Sequence, residues 1–283
     1  MKFLRLKIYQ PHVHYRIPFT LSRRHTYPIP PYSTVIGLIC NVLGIKDQND
    51  EKFVKLKELG LAIYGKFESM TKEYIWLRNL SANSHRNRFI TIQNRTMDQI
   101  PEHPGRQIPT RIDVLENVNL IIYIYHSDEK FIIELKEVFN NPQNRIYPLH
   151  LGRAEDWIVF EDSPEEAIRI VDIDKNNKKP FYGKLYYYTW IPDPRPRNKK
   201  SKEYPNWFEK DFYPVDYKEF FLKIKGSFHL VTGLYKIEDG FRNFRHIPVK
   251  LFEQGEFPFY FGKPFEFITD TEMNIPLFLC KMI

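Results

Sequence analysis

The chain has 283 residues, of which 42% are hydrophobic and 27% are charged, and its formal net charge is +7. This length suffices for one large domain or two modest ones, and the composition excludes a largely disordered chain because enough apolar residues are present to build a core. Charged residues interrupt every apolar stretch near the start, so we expect no signal peptide, no membrane span and a cytoplasmic location.

The first 46 residues predict a strand, a basic segment and a buried helix, and they contain no acidic residue. Residues 3–9 alternate between the two faces of an extended chain, which is typical of a half-buried strand. Residues 34–43 place apolar side chains at helical spacing and end at Gly44, which predicts a short buried helix.

The segment just before this helix combines cations, hydroxyls and an aromatic ring. Its candidate contacts are Arg23, Arg24, His25 and Tyr27. Helix N-termini offer free backbone N–H groups to phosphate, and arginine suits phosphate and base edges, so we interpret the segment as an RNA-backbone site. A solvated loop that leads into a core helix is the alternative.

The elements that follow, up to residue 160, predict an α+β fold. In chain order they are a helix over 50–59, strands over 61–67, 74–80 and 118–125, a helix from 127 or 128 to 139, and a strand over 157–160. If the helix at 50–59 is an addition, the order is strand, helix, strand, strand, helix, strand, which is that of the ferredoxin-like fold of RNA-recognition modules. We therefore predict a ferredoxin-like RNA-binding domain over residues 1–183.

Residues 81–113 are poor in apolar side chains and too long for an ordinary connection, which predicts either a disordered loop or a functional projection. Arginine dominates the positive charge of this stretch. The candidate nucleic-acid contacts are Arg86, Arg88, Arg95, Arg106 and Arg111. A flexible surface loop is the alternative for the whole segment.

Beyond residue 184 the pattern changes to short, aromatic-rich strands, over 185–190 and 219–224, separated by a basic loop over 191–204. This change predicts a smaller, β-rich C-terminal subdomain over residues 184–283.

Little in the sequence points to catalysis or to a cofactor. His12 and His14 lie at strand spacing, but no carboxylate or third ligand accompanies them, so we expect no metal site. Cys40 and Cys280 each lie in an apolar run and are expected in the core. The glycines form no phosphate-binding or dinucleotide-binding motif, and no catalytic triad can be read from the order of residues.

Two stretches resemble the Cas5 family of CRISPR-associated proteins, which belongs to a wider superfamily of repeat-associated RNA-binding proteins (RAMP). Residues 24–39 match its Pro-Ser-Thr-containing run that opens the first helix, and residues 147–156 match its Leu-Gly-Arg segment, here Leu151, Gly152 and Arg153. The resemblance implies a subunit of a type I complex, Cascade, closest in overall character to type I-B, that binds the 5′ handle of mature CRISPR RNA at one end of the assembly. We add Arg153 to the candidate RNA contacts on this basis.

The resemblance also implies a role for residues 81–113 and a set of partners. Family members carry a thumb-like hairpin at this place that kinks the RNA between handle and guide. The implied neighbours are the Cas7 backbone subunit and a large subunit of the Cas8 type that reads the target's flanking motif, so contact with target DNA is indirect.

One branch of the family, from type I-C, cuts precursor RNA with a Tyr and an adjacent Lys and His. This sequence has no adjacent Lys-His pair, so we expect a binder rather than an enzyme. Two alternatives stay open. One is a metal-independent endoribonuclease that uses one of the histidines. The other is a generic RNA-recognition module, although its aromatic stacking motif is not found.

Overall fold

The computed structural model describes residues 1–20, 23–79, 96–97, 100–101, 106–160, 163–195, 205–208, 210–238, 241–260 and 262–282. The strands are β1 (Lys2–Val13), β2 (Arg23–Arg24), β3 (Gly60–Lys66), β4 (Ser69–Asn79), β5 (Thr96–Met97), β6 (Ile100–Pro101), β7 (Arg106–Tyr125), β8 (Ile168–Asp172), β9 (Lys179–Pro180), β10 (Lys184–Pro192), β11 (Ser227–Glu238), β12 (Phe241–Glu256), β13 (Phe259–Tyr260), β14 (Lys263–Pro264), β15 (Glu266–Phe267), β16 (Thr269–Asp270), β17 (Ile275–Pro276) and β18 (Cys280–Lys281). The helices are α1 (Tyr32–Leu43), α2 (Glu51–Lys55), α3 (Glu129–Asn140), α4 (Pro164–Ala167) and α5 (Tyr217–Lys223).

One large sheet organises these elements. Its strands run in the order β11, β12, β10, β3, β7, β1, β8, while β18 pairs with β3, and β2 and β4 pair with β7. Neighbours in this sheet are antiparallel, apart from the parallel pair of β2 with β7. The predicted α+β class is confirmed, with a mostly antiparallel sheet and few helices.

The N-terminal half brings four strands side by side in the order β3, β7, β1, β8. Helix α1 lies in the connection from β1 to β3, and α3 lies in the connection from β7 to β8. Helix α1 ends at Gly44, whose φ of 73° is the left-handed conformation that glycine adopts most easily. The Asp128 carboxylate caps α3 by accepting the N–H of Lys130.

Three predicted elements need correction. Residues 157–160 form only isolated bridges, with Trp157 and Val159 exposed, and the fourth strand of this half is β8, which pairs with β1 over five residues. Residues 219–223 belong to helix α5 instead of a strand and Ile224 caps its C-terminus, since Tyr217, Phe220 and Phe221 are buried together at helical spacing. The helix predicted over 50–59 is shorter, with α2 followed by a 3-10 turn over Leu56–Glu58.

Strand β4 and the first part of β7 form a long ribbon, which we call the arm. It pairs residue by residue from Ser69 with Glu116 to Asn79 with Arg106. The second part of β7 pairs with β1 and β3, so the arm is a direct extension of the central sheet. Of the projection predicted over 81–113, residues 106–113 belong to the arm, and most of the others lie outside the described residues.

The C-terminal part packs onto the same sheet. Strand β10 pairs with β3, and the indole nitrogen of Trp190 donates to the Pro30 carbonyl at 2.9 Å, just before α1. The division predicted after residue 183 stays a prediction, and the large sheet continues across it. Cys40 and Cys280 are both buried, as expected. None of the helices in the described ranges is long and apolar enough to cross a membrane.

Candidate nucleic-acid interface

Three strands meet at the base of the arm and align basic and aromatic residues. Arg23 on β2 lies opposite Arg111 on β7, and Arg111 lies opposite Tyr74 on β4. Residues directly opposite each other in paired strands point to the same face of a sheet. We call the face that carries Arg23, Arg111 and Tyr74 the outer face. Arg24, which pairs with Ile112, points to the opposite face, which we call the inner face.

Asp113 organises the basic end of the outer face. Its side chain is 4% exposed, and its Oδ2 lies 2.6 Å from His25 Nδ1. Its Oδ1 lies 3.7 Å from Arg23 Nη2 and has no hydrogen-bond partner among the described residues. Because the carboxylate is buried while Arg23 and His25 are nearly half exposed, it fixes both side chains and leaves their outer edges open to solvent.

Arg111 has no described hydrogen bond or ion pair, and its side chain is exposed. The backbones of Arg23 and Arg111 are about 5 Å apart, because the two residues pair across neighbouring strands. Their guanidinium groups therefore extend from the same face. Asp113 is the one described carboxylate on this part of the outer face, so positive charge is in excess there. An excess of arginine on an open surface favours a polyanionic ligand.

The inner face is held by ion pairs around Arg153. Its guanidinium contacts Asp156 through Nη2 and Oδ1 at 2.8 Å and Glu73 on β4 at 3.1 Å. Asp156 is buried, and its Oδ2 also accepts the backbone N–H groups of Arg153 at 2.7 Å and His14 at 3.0 Å. These contacts attach the loop before α4 to β1 and to the arm, so the charge of Arg153 is already balanced by carboxylates.

Gly152 is required by this arrangement. Its φ is +122°, and a Cβ at this position would lie 2.6 Å from Asp156 Oδ2 and 2.9 Å from a methyl group of Val13. Both the backbone conformation and the close approach exclude a side chain. The Leu-Gly-Arg segment therefore has a structural role here, because it holds the loop over residues 151–156 against the end of β1 and the arm.

His14 and Arg24 lie buried or half-buried on the inner face. His14 Nδ1 is 2.8 Å from the Asp113 carbonyl oxygen, and its pKa is lowered, first by burial and also by Arg153 and Arg24. The pKa of Arg24 is lowered by burial and by the neighbouring Arg16. His12, in contrast, is exposed, and no group of three or more metal-binding side chains occurs within the described ranges.

The other predicted contacts have different locations. Tyr27 is 2% exposed and packs against Trp190, with ring centroids 5.4 Å apart, so it belongs to the core and not to the surface. Arg106 is the first residue of β7, opposite Asn79. Arg86, Arg88 and Arg95 lie outside the described residues, and their role stays a prediction.

Three residues of this surface were not predicted from the sequence. Asp113 was missed because its partner His25 is 88 residues away in the chain. Tyr74 and Trp76 were read as ordinary strand residues. The alternation of Lys72, Tyr74 and Trp76 with residues of the other face is the sequence signal that could have indicated an exposed aromatic face.

The fold and this basic surface define a class of protein in which an α+β core carries an arginine-rich strand at the base of a long β-ribbon. A family model described as CRISPR-associated protein (Cas_Cas5) matches residues 3–185. The chain therefore belongs to the Cas5 family of CRISPR-associated proteins, as the two sequence stretches predicted.

Solved structures give a similarity of fold. A chain of a "CRISPR RNA-guided surveillance complex" has a TM-score of 0.52 and 10% sequence identity, with 91% of each chain covered. A CRISPR protein from Archaeoglobus fulgidus has a TM-score of 0.39 and 10% identity, with 94% of this chain and 90% of that chain covered. No curated protein matches the chain in sequence.

Proposed function

We propose that this chain is a non-catalytic subunit of a type I CRISPR complex, Cascade, with type I-B as the expected branch. In this role it binds the 5′ handle of mature CRISPR RNA and caps one end of the complex for antiviral DNA interference. The observation that carries the proposal is the alignment of Arg23 with Arg111 on the outer face, with Asp113 as their one described acidic neighbour.

The architecture supports this role. The order β3, β7, β1, β8, with helices in the two crossover connections, is the arrangement expected of a ferredoxin-like domain. The arm extends β7 beyond that domain, where a thumb would contact RNA. We propose accordingly an RNA-binding domain over residues 1–183 and a β-rich subdomain over 184–283.

The proposed partners follow from family membership. They are the CRISPR RNA handle, the Cas7 backbone subunit and a large subunit of the Cas8 type, with target DNA contacted indirectly and the cytoplasm as the location. No cofactor is required for this role.

A binding measurement with the purified full chain tests the proposal. Arg23→Ala and Arg111→Ala are each expected to weaken binding of repeat-derived RNA by roughly 10- to 150-fold, since a hydrogen bond to a charged group contributes about 1.5–3 kcal/mol. Arg145→Ala is the matched control, because Arg145 is also exposed but lies after α3, in a loop that contacts α1 and not in β2, β4 or β7. Unchanged affinity in both arginine variants would contradict the proposal.

A metal-independent endoribonuclease that processes precursor CRISPR RNA is the second candidate. The pair of His25 with the buried Asp113, beside Arg23, favours it, because a carboxylate that orients a histidine prepares it to take a proton. His25 would accept the proton of a ribose 2′-hydroxyl, whose oxygen attacks the adjacent phosphate while Arg23 contacts that phosphate. A 2′,3′-cyclic phosphate forms, the bond from phosphorus to the 5′-oxygen breaks, and the 5′-oxygen leaves with a proton from water.

Incubation of repeat RNA with the protein in a metal chelator separates the two candidates. The binder predicts intact RNA. Cleavage at one position that disappears with His25→Ala, while RNA affinity is retained, would establish the enzyme instead.

A further inference from the structure

Two aromatic side chains project from the arm into solvent. Tyr74 and Trp76 are each 59% exposed, and their ring centroids are 6.4 Å apart with perpendicular planes. They are two residues apart on β4, so both point to the outer face. In a perpendicular pair the edge of one ring lies near the face of the other, and both rings here keep more than half of their surface exposed.

The surroundings of this pair are cationic. Tyr74 lies opposite Arg111, which lies opposite Arg23, and Lys72 precedes Tyr74 on the same face. Neighbouring strands are about 5 Å apart, so the row from Tyr74 to Arg23 spans roughly 10 Å. An aromatic ring and a guanidinium group thus stand next to each other on one surface.

The charge of this surface favours a nucleic acid over a protein as the occupant. Protein interfaces are enriched in aromatic residues and arginine but are depleted of lysine and, at their core, of charge. The described outer-face residues of β2, β4 and positions 109–115 of β7 instead carry a net positive charge, with Arg23, Lys72 and Arg111 against Asp113 alone. Proteins that hold unpaired strands combine such cations with aromatic rings on which bases stack.

We propose that Tyr74 and Trp76 form a stacking site for one unpaired base of the bound RNA, while Arg111 and Arg23 contact the adjacent phosphates. This inference rests on the proposed RNA-binding function and adds a non-ionic contact to it. Stacking accepts any base because every base has a flat π-face. The site therefore holds RNA in position without reading its sequence.

The ionic and stacking contacts respond differently to salt. Each phosphate contact releases counterions and makes binding salt-dependent, whereas stacking releases none. Loss of the aromatic pair should therefore lower RNA affinity at every salt concentration by the same factor.

The test uses the purified full chain and repeat-derived RNA. The double variant Tyr74→Leu/Trp76→Leu is expected to bind about 5- to 100-fold more weakly than the unchanged protein, with the same salt dependence. The control is Tyr182→Leu/Tyr186→Leu, which removes two slightly more exposed aromatic rings from the region of β10 and is expected to leave affinity unchanged. Circular dichroism and thermal unfolding confirm that both variants are folded.

A scan of abasic nucleotides along the RNA completes the test. One position is expected to weaken binding to the unchanged protein, and the same position is expected to have no effect on the double variant. If the double variant binds RNA normally and the Arg23→Ala and Arg111→Ala variants do not, the stacking site is wrong but the proposed function stands. If the unchanged protein does not bind repeat RNA, both fail. Loss of association with partner subunits at unchanged RNA affinity would identify a protein contact and overturn the stacking site.

Discussion

Arg5 and Asp270 form a buried ion pair between residues 265 positions apart in the chain. Arg5 Nη1 lies 2.9 Å from Asp270 Oδ2, and the two side chains are 0% and 5% exposed. The Tyr123 hydroxyl donates to the same carboxylate oxygen at 2.7 Å. The pair therefore fixes the C-terminal segment against β1 and β7, the strands that lead to the arm.

Removal of the Arg5 cation should destabilise the whole chain. Arg5→Met leaves the Asp270 carboxylate buried without its cation, and we expect the free energy of unfolding to fall by about 3–5 kcal/mol. Urea denaturation followed by circular dichroism measures this change. A loss below about 1 kcal/mol would show that solvent reaches Asp270.

Arg169→Met is the matched control for this prediction. Arg169 Nη1 lies 3.2 Å from Glu272, and both side chains are nearly half exposed. Exposed pairs contribute little because water screens them, so we expect a change of about 0–1 kcal/mol.

Gly152→Ala should destabilise the protein by two separable effects. The substitution forces an alanine to a φ of +122° and places its Cβ 2.6 Å from Asp156 Oδ2. We expect a loss of about 2–4 kcal/mol in the free energy of unfolding. Gly183→Ala separates the effects, because Gly183 has a φ of +94° but nothing within 4 Å of the added Cβ. Equal losses in the two variants would contradict the contact with Asp156.

His14 should make stability depend on pH. Its lowered pKa means that the unfolded chain takes up a proton at a higher pH than the folded protein. Its contribution to stability is therefore present above the unfolded pKa of about 6.5 and is lost as the pH falls towards the folded value. His14→Asn keeps a donor near the Asp113 carbonyl and removes the titration.

The measurement compares urea midpoints at pH 7.5 and 5.5. We expect the unchanged protein to lose more stability between these values than His14→Asn does. His12→Asn serves as control, because His12 is exposed and should behave like the unchanged protein. If His14→Asn keeps the full pH dependence, other groups cause it.

The sequence predicted the elements that are stabilised by contacts between residues close together in the chain. Helix α1 was predicted because its apolar spacing and Gly44 are both local, and α3 because Asp128 caps it within two residues. Strand β8 was missed because its buried residues, Ile168 and Val171, do not alternate. The fourth strand was predicted at the apolar run over 157–160 instead.

The basic surface could be predicted only in part. Arg23, Arg24 and Arg111 were found from charge alone, but charge does not tell which face a side chain occupies. The β2–β7 register separates Arg24 from the other two, and no local pattern fixes a register between segments 88 residues apart. The same limit hid Asp113, whose neighbours reveal its role only after the strands pair.

The salt dependence of RNA binding tests the central claim most directly. Affinity of the full chain for repeat-derived RNA is measured from low to physiological salt, for the unchanged protein, Arg23→Ala/Arg111→Ala and the control Arg145→Ala. If both arginines contact phosphate, the double variant should lower the slope of log affinity against log salt by about 1.4, at roughly 0.7 for each contact to a single strand, and the control should not. A slope that is the same in all three proteins would contradict the claim that Arg23 and Arg111 hold the RNA.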